Sequence, residues 1–318
     1  MSFEHEALIY AGDKGFCESL VPFIREGVEA DEPVLVMVGA AKIDLLKDHL
    51  NGEAERVLFA DMEEVGRNPA RIIPAWREFV TEHGQAGRPM RGIGEPIWAG
   101  RSAAELVECQ HHELLLNLAF EDDGPFRLLC PYDALALPPD VIDEARRSHP
   151  RVSDHSGEME GSVVSETYRG LEQITGPLAD PLPAVPAHAR SIGFVGADLS
   201  GVRHFVAAAA RAAHLAPARA DDLVLAVSEV ASNSVIHGGG VGTLQAWTQE
   251  GTLLCELRDS GRIGHALAGR ERPAPGRLGG YGRWLVNQVC DLVQVRSLED
   301  GTLVRLHMRS SRGGEQAA

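Results

Sequence analysis

The sequence predicts an α/β chain in two domains, and three observations carry that expectation. Through the first half, short β-branched runs alternate with longer helical periodicities, the pattern of a three-layer α/β/α domain on a mainly parallel sheet. Charge is unevenly divided: residues 1–185 hold 16 Lys+Arg against 34 Asp+Glu, a balance of −18, and residues 186–318 hold 14 against 12, or +2. A proline-rich stretch, GPLADPLPAVPAH, separates the halves, and 318 residues suit two domains better than one core.

Taken in order, EALIYAGD (6–13) is predicted as a short buried strand with a helix near 15–29 after it. PVLVMVGA is a continuous apolar run of the kind buried on both faces of a parallel sheet. A helix over 41–50, the strand RVLFAD (56–61) and a helix over 69–83 follow. MRGIGEPIW (90–98) carries a strand into a loop, 102–120 form a long helix, FRLLCPYD (126–133) a strand and 139–148 a helix. The first domain is expected over 1–150, a linker over 151–186 with a short helix at 162–174, and the second domain over 187–312.

Composition narrows the function classes. The acidic balance argues against a nucleic-acid partner, which needs a basic footprint. No run of eighteen apolar residues suggests a membrane span, and MSFEHEALIY has neither the basic region nor the apolar core of a secretory signal. Five scattered cysteines (17, 109, 130, 255, 290), without CxxC spacing, read as free thiols of a cytoplasmic protein.

The first half offers no clear catalytic set. PVLVMVGAAKIDLL lacks the GxxxxGK[ST] pattern of a phosphate loop, and no nucleophile–base pair stands out for a metabolic enzyme. Cys109, His111, His112 and Glu113 are metal-ligand types, but adjacent histidines point to different helix faces and no fourth ligand is evident. His112 and Glu113 are instead expected to line a small-molecule pocket near GEPIW, at the strand ends where open α/β sheets bind ligands. FEHEALIYAG, GEPIW, HHELLLNLAF and LLCPYD together resemble the MEDS sensory domain. That resemblance implies a RecA/KaiC-like core that senses a small molecule, of a kind the sequence does not specify.

The second half turns on DDLVLAVSEVASNSVIHGGG (221–240). Asp221 and Asp222 are expected to open a helix, Leu223, Leu225, Ala226, Val227, Val230 and Ala231 to form its apolar stripe, and Gly238–Gly240 to end it. Glu229, Asn233 and His237 recur every four residues on one face. An amide oxygen there suits Mg²⁺, and a carboxylate one turn earlier suits proton abstraction beside a γ-phosphate. SIGFVGADLS begins with a strand and leads into an amphipathic helix from near Ser200. A hairpin (242–249, turn Glu250-Gly251, 252–258) delivers Asp259-Ser260-Gly261. Residues 262–282, rich in Gly, Pro and Arg, have the composition of a mobile lid. Gly279, Gly280 and Gly282 precede a helix over 283–291, where free N–H groups face outward, and a last hairpin contains Thr302.

SEVASNSVIHG, RDSG, LGGYGRWLVNQVCD and GTLVRL, in this order, resemble the GHKL (Bergerat) ATPases, most closely the anti-sigma-factor kinase branch. The resemblance implies an α+β two-layer sandwich binding ATP and Mg²⁺, with Glu229 as general base and Asn233 as Mg²⁺ ligand. His237 belongs to the same nucleotide-binding row. Asp259 and Gly261 would read adenine, Gly280 and Gly282 would wrap the phosphates, and Thr302 would support the adenine pocket. One departure is visible: the usual DxGxG is DSGRIG, with Ile263 at the second glycine and Gly264 one place late, which bears on lid geometry and transfer rate.

The combination resembles RsbA-type regulators. It implies a serine/threonine kinase acting on a STAS-type anti-sigma-factor antagonist, binding of a sigma factor, and, by analogy, a homodimer. A second reading is a non-catalytic nucleotide-binding module that sequesters partners. A sensor histidine kinase is disfavoured, because His155 sits in a Gly/Ser-rich segment without a dimerising helical hairpin.

Overall fold

The computed structural model describes residues 3–84, 87–156, 161–170, 181–273 and 280–310. The chain divides into two compact units, Met1–Ile174 and Thr175–Ala318. Among the described residues, no helix is long and apolar enough to cross a membrane.

The first unit alternates as the sequence predicts: β1 Glu4–Tyr10, α1 Gly12–Glu29, β2 Val34–Val38, α2 Ala40–Leu50, β3 Leu58–Asp61, α3 Met62–Val65, α4 Ile72–His83, β4 Met90–Gly94, α5 Ala103–Ala119, β5 Phe126–Asp133 and α6 Pro139–Ser148. The stretch expected as a linker begins instead with two more strands, β6 Arg151–Asp154 and β7 Ser162–Val164. β7 replaces the start of the short helix expected at 162–174, as its β-branched SVV favours; residues 171–174 lie outside the described set. The sheet order is β3-β2-β4-β5-β1-β6-β7, parallel throughout except for β7 against β6.

β1 is interior, between β5 and β6, and its two faces go to different layers. Leu8 and Tyr10 join the core with Phe16, Leu20 and Ile24 of α1, whereas His5, buried like Ala7 and Ile9, meets Glu113 and Asn117 of α5. α5 starts with a complete capping box: Ser102 accepts from the Glu105 backbone, and Glu105 accepts from the Ser102 N–H.

The second unit contains β8 Arg190–Val195, α7 Leu199–Ala212, α8 Pro217–His237, β9 Val241–Gln249, β10 Thr252–Asp259, α9 Tyr281–Val289, β11 Leu292–Leu298 and β12 Gly301–Arg309. Its sheet, ordered β11-β12-β10-β9-β8, is antiparallel at every pairing. Strand alternation sends Leu253, Cys255 and Leu257 of β10 and Leu306 and Met308 of β12 into one apolar core. Val202 and Val206 of α7, Leu223 and Val227 of α8 and Val286 of α9 fill it from the helical layer. The result is an α+β two-layer sandwich. All five cysteines are free and buried.

Candidate nucleotide-binding site

α8 opens earlier than the paired aspartates suggest. Pro217 occupies its first turn, where a missing N–H costs nothing and the fixed φ is already helical. Asp222 instead lies one turn in, 3.7 Å from Arg219. Leu223, Ala226, Val227, Val230, Ala231 and Ser234 are buried; Leu225, expected in this stripe, is 42% exposed, because its position falls on the flank. Glu229 and Asn233 are half-buried and His237 is exposed, all on one side of the buried stripe. Among the described residues, neither the Glu229 carboxylate nor the Asn233 carboxamide has a hydrogen-bond or ion-pair partner. The helix ends at His237 on Gly238, whose φ is −101°; the left-handed residues are the next two, Gly239 and Gly240.

Asp259, the last residue of β10, is held from two sides. Its Oδ2 accepts from Ser234 Oγ at 2.6 Å and its Oδ1 from the Gly261 N–H at 2.8 Å. Thr302 pairs with Asp259 across the sheet, and its Oγ1 donates to Gly261 O at 2.8 Å. Ser260 N and Oγ both donate to Gly238 O, at 3.2 and 2.9 Å. Glycine is required around this carboxylate for close approach. A Cβ at Gly238 would lie 2.4 Å from Asp259 Cγ, and one at Gly261 2.8 Å from His237 O. Gly301, at φ +143°, would place a Cβ 1.9 Å from Asp259 O. A carboxylate offers about four lone-pair sites, so Asp259 retains acceptor capacity towards a ligand.

α9 begins against Glu229 of the helical row. Gly280 caps it in the left-handed region at φ +91°, and the helix starts at Tyr281 rather than 283. A Cβ on Gly282 would sit 2.4 Å from Glu229 Oε2, so the absent side chain is what lets the helix N-terminus lie against that carboxylate. The segment before it, expected to have few anchors, is partly fastened. Leu267 is buried, Asn287 Nδ2 donates to Gly269 O at 2.9 Å, Tyr281 Oη donates to Pro273 O at 3.2 Å, and Arg272 stacks 5.7 Å from the Trp284 ring. Gly279 and the rest of 274–279 lie outside the described residues.

An open crevice of about 580 Å³ at the ends of β8, β9 and β10 is lined by Phe194, Thr243, Arg258, Asp259 and Asp300 among others. It meets the row only at Asp259 and Ser260; Glu229 and Asn233 lie outside it. The side chains without partners among the described residues, and the glycine-lined approach, form the better fit to an adenine nucleotide. The Asn233 amide oxygen suits Mg²⁺, the Glu229 carboxylate suits a proton, free helix N–H groups suit phosphate, and Asp259 suits an amino group. Ser234, Gly238 and Gly301 were not singled out from sequence for their hold on Asp259. The hairpin signal at Asp300-Gly301 was the one available hint.

In the first unit, the run Cys109–Glu113 does not act as one ligand set. Cys109 Sγ donates to Pro96 O at 3.3 Å, next to the GEPIW loop, while Glu113 one turn on faces His5 at 3.1 Å. Glu95 of that loop belongs to a separate group at the carboxyl ends of the strands. It accepts from Lys42 Nζ at 2.5 Å and Tyr10 Oη at 3.0 Å. Burial pushes the Glu95 carboxyl above its ordinary range, and Lys42 opposes this.

Comparison with protein families matches residues 4–150 to the MEthanogen/methylotroph, DcmR Sensory (MEDS) domain and residues 196–308 to the histidine kinase-like ATPase domain. No curated protein matches the chain. The ATPase match covers Glu229, Asn233, His237, Asp259, Gly261, Gly280, Gly282 and Thr302. The chain therefore joins a MEDS sensory domain to an ATPase domain of the histidine kinase-like (GHKL) class.

Proposed function

We propose that this protein is an ATP-dependent serine/threonine kinase that phosphorylates a STAS-type anti-sigma-factor antagonist under control of its MEDS domain. The observation that carries the reading is the pairing of Glu229 with Asn233: one turn apart, half-exposed and without partners among the described residues, with Glu229 against the glycine-bounded start of α9. Mg·ATP, when bound, supplies the transferable γ-phosphoryl group and neutralises its charge. Glu229 accepts the proton of the attacking serine hydroxyl, and the Asn233 carboxamide oxygen ligates the metal. Asp259, fixed by Ser234 and Gly261, accepts a hydrogen bond from the adenine amino group, and Thr302 holds the Gly261 carbonyl in place. Backbone N–H groups at Gly282 and its neighbours receive phosphate oxygens. His237, exposed at the helix end, is positioned at the rim of the same row.

The test is made on the full-length protein. Mg·ATP binding by calorimetry is expected for the wild type and lost in Asn233→Ala. Labelled phosphate is expected to reach the antagonist's serine with the wild type, while Glu229→Ala binds nucleotide but transfers nothing. One observation favours a second reading, nucleotide as a structural ligand of a partner-sequestering module: Ile263 stands where the family pattern has glycine. Under that reading Glu229→Ala leaves regulation intact. Absence of Mg·ATP binding by the whole chain would sink both.

A further inference from the structure

Four side chains far apart in sequence meet in the first unit: His5 of β1, Glu113 of α5, Cys130 of β5 and His149 just after α6. All four are buried, and one ligand atom from each lies within 4.8 Å of the other three. His5 Nε2 is 3.1 Å from Glu113 Oε2 and 3.3 Å from Cys130 Sγ, and His149 Nε2 is 3.2 Å from Glu113 Oε2. The other Glu113 oxygen, Oε1, is buried without a hydrogen-bond partner among the described residues.

The outer hydrogen bonds settle which nitrogen of each imidazole carries a proton. Asn117 Nδ2 donates to the carbonyls of Glu113 (3.3 Å) and Ser148 (2.9 Å), which orients the amide. Its Oδ1 is therefore an acceptor, and His5 Nδ1, 3.0 Å away, is the donor to it. His149 Nδ1 faces the Ala145 carbonyl at 2.8 Å and must likewise donate. With Nδ1 as the donor, a neutral ring turns its Nε2 lone pair inward, that of His5 at a carboxylate and a sulfur and that of His149 at the carboxylate. Lone pairs facing a carboxylate repel unless something positive lies between them. A metal-bound histidine has this same outer N–H contact to an oxygen acceptor.

We infer that the first unit binds one divalent transition-metal ion, zinc by its donor set, through His5 Nε2, His149 Nε2, Cys130 Sγ and a Glu113 carboxylate oxygen. Zinc bonds of roughly 2.0–2.3 Å in a tetrahedron put ligand atoms roughly 3.3–3.7 Å apart. The 3.1–3.3 Å contacts here are close to those edges. Charge also closes: Cys130 binds as thiolate, its proton leaving to solvent, so thiolate plus carboxylate cancel the dication and nothing charged is left buried. All four positions come from the protein, leaving no open coordination place, as in a structural site. The ion ties β1, β5, α5 and the entry to β6 together at the centre of the sheet.

The test is elemental analysis of full-length protein purified without a metal-affinity step. Zinc, or another divalent first-row metal, at about one equivalent per chain is expected, because all four ligands belong to one chain. Cobalt(II) supplied to the stripped protein should give tetrahedral visible bands with a thiolate charge-transfer band, and Cys130→Ser should lose that band. His149→Gln should retain far less metal than wild type. If a variant fails to fold, the wild type still decides: stripped protein that recovers no stoichiometric zinc or cobalt overturns the assignment. Protons shared among Glu113, Cys130 and the imidazoles would then fill the space. A cobalt spectrum unchanged by Cys130→Ser overturns it equally.

Discussion

Replacing Gly282 with alanine separates the chemistry of the nucleotide row from its folding. The added Cβ would lie 2.4 Å from Glu229 Oε2, and the next contacts, Glu229 Cδ and Cβ, are 3.4 and 3.7 Å away. Ordinary contact begins near 3.4 Å, so the carboxylate must retreat by about 1 Å while the backbone stays. Glu229 ends in rotatable bonds and has no partner among the described residues, so the retreat is cheap. A glycine-to-alanine change inside a helix stabilises by up to about 1 kcal/mol. Misplacing a catalytic group by about 1 Å costs on the order of 100-fold in rate. Gly282→Ala should therefore keep or slightly raise its urea midpoint and still bind Mg·ATP. Phosphotransfer to the antagonist should fall by about two orders of magnitude. Transfer within about threefold of wild type, or a loss of more than about 1 kcal/mol of stability, would refute the reasoning.

Gly301→Ala puts a Cβ 1.9 Å from the Asp259 carbonyl at φ +143°. It should destabilise the second unit by at least about 1–3 kcal/mol, read from chemical denaturation. Ser234→Ala removes the 2.6 Å donor to Asp259 Oδ2 from a buried position. A loss of about 1–3 kcal/mol of stability is expected, with weaker adenine-nucleotide binding in calorimetry and Mg²⁺ dependence unchanged. Asp154 is held below its ordinary value of 3.8; burial opposes this, and the Ser156 and Arg146 hydrogen bonds outweigh it. Because the folded state lowers this pKa, its stabilising contribution is complete above the unfolded value and is lost as pH falls through the folded one. Asp154→Asn should lower the first unit's stability near neutrality, where the carboxylate's contribution is complete, and flatten the acid limb below about pH 4.

The alternation of strands and helices in the first unit was legible because β2 is a continuous apolar run and α1, α4 and α5 are long enough to show their period. The linker was misjudged where the signal is short. SVV at 162–164 is three residues, and only pairing with Val152 and its neighbours makes it a strand. On α8, periodicity found Glu229, Asn233 and His237, since residues four apart share a face whatever the fold. It placed Leu225 wrongly because a stripe read from composition has no sharp edge, and tertiary packing draws that edge between Leu223 and Leu225. Ser234 was hidden for another reason: its partner Asp259 is 25 residues away, on a strand whose register the sequence does not state. The His5, Glu113, Cys130 and His149 cluster is the extreme of that case. Its members have no common spacing, and only the parallel pairing of β1 with β5 and β6 brings three of them to one layer.

The departure at DSGRIG divides into two questions. A glycine in a nucleotide loop can be there because the backbone adopts a left-handed angle, or because a ligand or neighbour comes too close for a side chain. Position 263 is absent from the residues with positive φ, so isoleucine carries no backbone strain there. Gly264 has nothing within 4 Å of where its Cβ would be, so a displaced glycine relieves no internal crowding either. The glycines the fold itself demands are Gly238, Gly261 and Gly301, each pressed against Asp259 or its neighbours, and all three are present. Neither backbone strain at 263 nor crowding at 264 thus calls for a glycine. The family's glycine at 263 is therefore explained by what enters the site from outside, and Ile263 acts as a steric selection on the nucleotide or on closure over it, while the Asp259 cradle stays whole.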